Sequence, residues 1–217
     1  MKKRIICFGD SNTWGFDPGT GERYPEDIRW PCVLGSLLGD GYQILEEGQN
    51  GRTIANEDPW EWGTKCGMDY ILPMCESHNP FDLLIIMLGT NDLKAKFGLP
   101  APDIAGSLQN MLMKTKGYMQ YQLRSNARIL VVAPPHLGDG LGDSVFEPFF
   151  DTDKAIEGSK RLAYWYELVA SQFGCEFLDA ALYAKAGNTD SLHMSEEGHR
   201  ALATALADKV RQILEEE

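Results

Sequence analysis

Lys3-Arg4-Ile5-Ile6-Cys7-Phe8 runs straight into Gly9-Asp10-Ser11-Asn12-Thr13-Trp14-Gly15. A short apolar run with β-branched residues, stopped by Gly and then by Asp, Ser, Asn and Thr, predicts a buried strand delivering a polar loop to the carboxyl edge of a sheet. In open α/β sheets that edge is where ligands bind. Ser11 is therefore a candidate nucleophile at the rim of a crevice. A plain capping role for Ser11 and Asn12 competes with that reading, because both residue types favour helix starts.

The strand-then-polar-loop pattern recurs along the chain. Tyr42 to Leu45 predicts a second strand, followed by Glu46-Glu47-Gly48-Gln49-Asn50-Gly51-Arg52-Thr53. Asp82 to Leu88 is the most apolar run and predicts the central strand of a sheet covered on both faces, ending in Gly89-Thr90-Asn91-Asp92. Arg128 to Ala133 and Cys175 to Leu178 supply two more strands. Helices are expected over 30–38, over 68–78 with a break or kink at Pro73, over 103–123, over about 152–173, and over 195–214 with Ser195 as cap. Phe16 to Arg29 reads as a loop over the carboxyl edge, Gly138 to Gly142 as a Gly-rich loop, and Asn56 to Gly67 as a lid or interface segment.

Strands alternating with helices predict an α/β fold, a three-layer α/β/α sandwich on a five-stranded parallel sheet, as one domain over 1–217. Right-handed crossovers gather the loops after the strands on one edge, so those carrying Ser11, Gly51 and Asn91 should converge.

Composition narrows the function classes. The net charge of -12 disfavours nucleic acid, whose affinity for proteins comes from Lys and Arg neutralising phosphates. No stretch approaches a membrane span, and the apolar run after Met1-Lys2-Lys3-Arg4 is too short for a signal peptide. The five cysteines, Cys7, Cys32, Cys66, Cys75 and Cys175, form no CxxC pair and no zinc spacing. They read as reduced thiols of a cytoplasmic protein without a metal site.

Chemistry concentrates before the last helix, in Thr189-Asp190-Ser191-Leu192-His193. Asp190 and His193 are spaced so that the carboxylate holds one ring nitrogen while the other faces outward, the arrangement a serine nucleophile's base requires. Ser11, His193 and Asp190 thus form a possible triad. A lone His before a helix is otherwise a cap or surface residue, the reading that His78, His136 and His199 keep. Acyl attack also leaves an oxyanion needing fixed donors. The backbone N–H groups of Ser11 and Gly51 and the side-chain amide of Asn91 are candidates, against simpler roles for Gly51 as a turn residue and Asn91 as a cap.

Gly9-Asp10-Ser11, Gly51, Gly89-Thr90-Asn91-Asp92 and Asp190-Ser191-Leu192-His193, in this order, resemble the four signature blocks of the SGNH, or GDSL, hydrolase family. The similarity covers nearly the whole chain. CFGDSNTWG, EEGQNGRT and IIMLGTND most resemble the bacterial arylesterase and acyltransferase branch. The resemblance implies a flavodoxin-like sheet, no metal and no cofactor. It also implies Ser11 as nucleophile, His193 as base, Asp190 as its orienter, and Ser11, Gly51 and Asn91 as oxyanion donors. Glu46 departs from the Asn that many members carry there, and the 56–67 segment matches no substrate-reading motif.

A serine esterase acting on a small-molecule ester through an acyl-enzyme on Ser11 is the resulting expectation. Acetyl-type acyl groups are expected because Trp14, Trp60, Trp62 and Phe97 could shorten the acyl pocket, and an alcohol arriving before water would give acyl transfer. A homo-oligomer is expected from the resembling branch, with Trp60 and Trp62 as contact candidates. A carbohydrate acetylesterase, with the loop aromatics as a stacking platform, is the alternative. A non-enzymatic flavodoxin-like module cradling a phosphate or flavin is a third reading, though it needs no Asp-x-x-His.

Overall fold

Residues 2–215 are described by a computed structural model. The first strand, β1 (Lys3–Gly9), ends in a single helical turn, α1 (Ser11–Trp14). The elements that follow are α2 (Trp30–Leu38), β2 (Tyr42–Gly48), α3 (Gly67–His78), β3 (Leu83–Met87), α4 (Ala101–Tyr118), β4 (Arg128–Ala133), α5 (Thr152–Gln172), β5 (Glu176–Asp179) and α6 (Glu196–Glu215). All strand pairings are parallel, in the order β2-β1-β3-β4-β5. The expected five-stranded α/β/α sandwich is the fold.

Strand geometry explains why β3 is apolar at every position and why β1 and β4 turn apolar after their charged first residues. Successive side chains point to opposite faces, and here both faces are covered. Ile6, Phe8, Leu84, Ile86, Ile129 and Val131 enter one layer with residues of α3, α4 and α5, whereas Ile5, Cys7, Leu83, Ile85, Leu130 and Val132 enter the other with α2 and α6. Each fully buried aliphatic side chain contributes roughly 1.5–3 kcal/mol relative to exposure.

Several expectations need correction. The second strand runs on through Glu46 and Glu47, pairing with Cys7 and Phe8, because both carboxylates find partners beside the edge strand. Glu46 accepts from Arg29 Nε and Nη2, each at 2.9 Å, and from Arg23 at 3.1 Å. Burial pushes Glu46 up, but the hydrogen bonds and charge of Arg29 outweigh it and hold the carboxyl below its usual range. Glu47 meets His78 Nε2 at 2.6 Å and Tyr70 Oη at 3.1 Å. Pro73 does not break α3, since its neighbours Ile71, Met74 and Cys75 are anchored in the core and tertiary packing overrides its local cost. The helix expected over 103–123 instead starts at Ala101 and passes into a wider π turn over Met119–Leu123.

His199 is not a surface or capping residue. It lies fully buried near the start of α6, where its Nδ1 accepts the Trp30 N–H at 3.4 Å and its ring meets Tyr24 edge-on at 5.4 Å. Burial first, then the nearby His193 and Arg29 charges, pushes its pKa down to about 3. Between there and the ordinary value of 6.5 the unfolded chain binds a proton that the native state does not, so acidification favours unfolding. The contribution is up to about 1.4 kcal/mol per pH unit. Urea midpoints measured between about pH 7 and pH 5 should therefore fall more steeply for the native protein than for His199→Gln. Parallel slopes would contradict this assignment.

Candidate active site

Asp10, not Ser11 or Asn12, caps the turn after β1: its carboxylate accepts the Asn12 N–H at 3.0 Å. Ser11 becomes the first helical residue, and its Oγ is free to turn toward the loop before α6. There it lies 2.9 Å from His193 Nε2. The other ring nitrogen, Nδ1, is 2.6 Å from Asp190 Oδ2, while Asp190 Oδ1 accepts the N–H groups of Leu192 at 3.0 Å and His193 at 2.9 Å. Burial pushes the Asp190 carboxyl up, but its hydrogen bond with His193, the His193 charge and the two N–H donors outweigh it and hold it below the usual carboxylate range.

The turn between Asp190 and His193 places Ser191 at φ +57°, a left-handed conformation that non-glycine residues seldom adopt. It is held from the Gly-rich loop, where the Gly138 N–H donates to the Ser191 carbonyl at 2.8 Å. A Cβ on Gly138 would crowd the Ser191 side chain, which gives that glycine a reason.

Side chains outside the three-residue constellation fix its position. Asn12 bridges to the His loop: its Oδ1 accepts the Met194 N–H at 2.9 Å, and its Nδ2 donates to the Leu192 carbonyl at 3.5 Å. Phe16 lies against the His193 ring with centroids 4.3 Å apart, and Phe146 meets it edge-on at 5.3 Å. Arg52 joins the loops after three strands. Its Nη1 donates to the carbonyls of Gly9, at 2.8 Å, and Glu47, and its own carbonyl accepts from Asn91 Nδ2 at 3.1 Å. Its guanidinium lies 4.3 Å from the Phe8 ring centroid, and burial lowers its pKa to about 10. Asp92 receives the Ile54 N–H at 3.0 Å, and burial raises its pKa to about 7. Burial likewise raises Asp10 to about 6.

The expected convergence of loops is present. Ser11, Gly51, Asn91 and His193 line one cavity of about 290 Å³. Gly51 adopts φ +78°, so it is both a turn residue and part of the wall. Asn91 uses its side chain toward Arg52 rather than as a cap, and an amide carries two donor hydrogens. Of the four aromatics expected in the pocket only Trp60 lines it. Trp14 ends α1 half-buried, its ring 5.5 Å from the Arg23 guanidinium; Trp62 is 96% exposed; Phe97 stands beside Lys96. The aromatic walls are instead Phe16, Phe146, Phe149 and Phe150. Lys94, Lys96 and Glu61 form a charged side that sequence reading had not marked. A run of aromatics after the Gly-rich loop was the available signal for Phe146 and Phe149.

Among the described residues no group of three His, Cys, Asp or Glu side chains is placed to hold a metal ion. No described helix is long and apolar enough to cross a membrane.

In overall shape the chain is similar to the M. smegmatis aryl esterase, with 34% identity, a TM-score of 0.87, and coverage of 98% of this chain and 100% of that one. It is similar also to Est24, a carbohydrate acetylesterase from Sinorhizobium meliloti, with 35% identity, a TM-score of 0.89, and the same coverage of 98% and 100%. A curated relative, an acetylxylan esterase of Xylanibacter ruminicola, is 23% identical over 96% of this chain, which spans 43% of that protein's length. Residues 7–201 match the GDSL-like lipase/acylhydrolase family, and with nearly the whole chain inside that match, the protein belongs to it.

Proposed function

We propose that the protein is a carboxylic ester hydrolase that cleaves short-chain, acetyl-type esters through an acyl-enzyme on Ser11. The observation that carries the reading is the continuous proton path from Ser11 Oγ to His193 Nε2 at 2.9 Å and from His193 Nδ1 to Asp190 at 2.6 Å. His193 takes the hydroxyl proton as Ser11 attacks the acyl carbon, and Asp190 fixes the ring tautomer and stabilises the imidazolium. The oxyanion that forms is met by the N–H groups of Ser11 and Gly51 and by the Asn91 amide. His193 then protonates the departing alcohol, and a water activated by the same ring releases the acid. An alcohol in place of that water gives acyl transfer.

The modest cavity, lined by Trp60, Phe146, Phe149 and Phe150, supports a short acyl group. Five free thiols support action in the cytoplasm on a dissolved substrate. A homo-oligomer is part of the reading, with Trp60 and Trp62, 83% and 96% exposed, available for contact. Trp60 also favours a second version, an acetyl ester on a carbohydrate, because an exposed indole at the cavity mouth is a stacking surface for a sugar ring. The family match stands against a non-enzymatic flavin module.

Turnover of an aryl acetate, an acetylated xylo-oligosaccharide and a long-chain ester separates these versions, and activity confined to the long chain would overturn the short-acyl reading. In Ser11→Ala, kcat on 4-nitrophenyl acetate should fall on the order of 10⁶-fold. Asn91→Ala should lower kcat by about 10²–10³-fold with little change in KM, the signature of a contact made in the transition state. A loss seen in KM alone would remove Asn91 from the oxyanion site.

A further inference from the structure

The cavity's charged side joins Glu61, from the loop between β2 and α3, to Lys94 and Lys96, from the segment between β3 and α4. Asp58, whose side chain is wholly buried, ties that loop down by pairing with Lys96 and, at 3.3 Å, with Lys94. Burial pushes its carboxyl up, but the two ammonium groups hold it below the ordinary range. Glu57 is occupied by the backbone N–H groups of Lys65, at 2.8 Å, and Cys66, at 2.9 Å. Trp60 and Glu61 follow from this anchored turn and both line the cavity.

Glu61 sits where nothing in the reaction calls for a carboxylate. It pairs with Lys94 through one oxygen and lies 3.5 Å from Lys65 Nζ through the other. The same carboxylate presses on Gly51, so that a Cβ at position 51 would overlap it. A negative group therefore stands beside one of the oxyanion donors, and two nearly buried lysines neutralise it: the Lys94 and Lys65 side chains are 7% and 10% exposed. Lys65, Lys94 and Lys96 meet the carboxylates of Asp58, Glu61 and, through the Lys65 backbone, Glu57, so the cluster holds three charges of each sign.

Resting on the esterase reading above, we propose that Glu61 is the residue that sets the charge preference of this site. Its carboxylate fills, from within the chain, the place between Lys94 and Lys65 that an acid group of a substrate would otherwise occupy. Neutral esters are accepted, and an ester carrying a carboxylate near the scissile bond finds Lys94 and Lys65 already paired with Glu61. Removing the charge of Glu61 leaves Lys94 with Asp58 alone, and leaves Lys65 Nζ with the Asn50 carbonyl at 2.7 Å and, among the described residues, no ion-pair partner; the preference then turns toward acidic esters.

The test compares kcat/KM within two matched pairs. One pair places the acid on the acyl side, 4-nitrophenyl hydrogen glutarate against 4-nitrophenyl pentanoate. The other places it on the alcohol side, 4-acetoxybenzoate against 4-acetoxybenzamide. In Glu61→Gln the ratio of acidic to neutral substrate should rise about tenfold or more in at least one pair, and the pair that responds tells which end of the ester faces Glu61. The gain should shrink when Lys94→Gln is added, and Glu61→Asp, which keeps the charge, should stay near the native ratio. Because each ratio cancels the amount of active enzyme, partial misfolding of a variant does not imitate the effect. Ratios unchanged from the native protein in both pairs would overturn the proposal while leaving the esterase reading intact; absence of hydrolysis of any neutral ester by the native protein would overturn the esterase reading itself.

Discussion

A hydrogen bond between Ser11 and His193, residues 182 positions apart, is the constraint around which the molecule is arranged. Neither residue has the pairing locally. Ser11 is delivered by β1, which lies between the edge strand β2 and the wholly apolar β3, and His193 by a turn packed just before α6. The two meet because α6 packs on the same layer as α2, and because Asn12 grips the backbone on both sides of His193. Buried hydrogen bonds of this kind are expensive to leave unmade, so the clamp holds distance as well as stability. In the proposed reaction the same pairing sets the direction in which the proton moves.

Electrostatics at the sheet edge follows from how many polar groups the converging loops bring out of water. Asp10 and Asp92 are both raised by burial, and Arg52 is lowered by it, while Asp190 is held down by its imidazole partner. The contrast separates two kinds of carboxyl group. Asp190 is held ionised beside the His193 ring, as the proposed reaction requires; Asp10 and Asp92 serve the backbone by accepting N–H groups of the loops. Glu61, Lys94 and Lys96 supply the cavity's charged lining and are tied together by Asp58 and Lys65.

Much of this was legible in the sequence because it rests on period and order. Continuous apolar runs ending in polar turns identify doubly covered parallel strands, and four ordered blocks bring Ser11, Gly51, Asn91, Asp190 and His193 to one edge. What was not legible depends on partners distant in the chain. Glu46 and Glu47 look like loop residues until Arg29, Arg23 and His78 are seen beside them. His199 looks like a helix-surface residue until Trp30 and Tyr24 close over it. Trp14, Trp62 and Phe97 have the right bulk for a pocket wall but the wrong direction, whereas Phe16 and Phe146 reach His193 from loops with no period to read. Asn12 and Arg52 act on backbone groups, which leave no trace in side-chain pattern.

The most direct measurement of the central claim is reaction of the intact protein with a fluorophosphonate, followed by peptide mass mapping. The predicted result is a single phosphonyl group on Ser11, with the reaction markedly slower when His193 is replaced by Ala. Folded protein that leaves Ser11 unmodified, or that carries the label on another serine, would contradict the account.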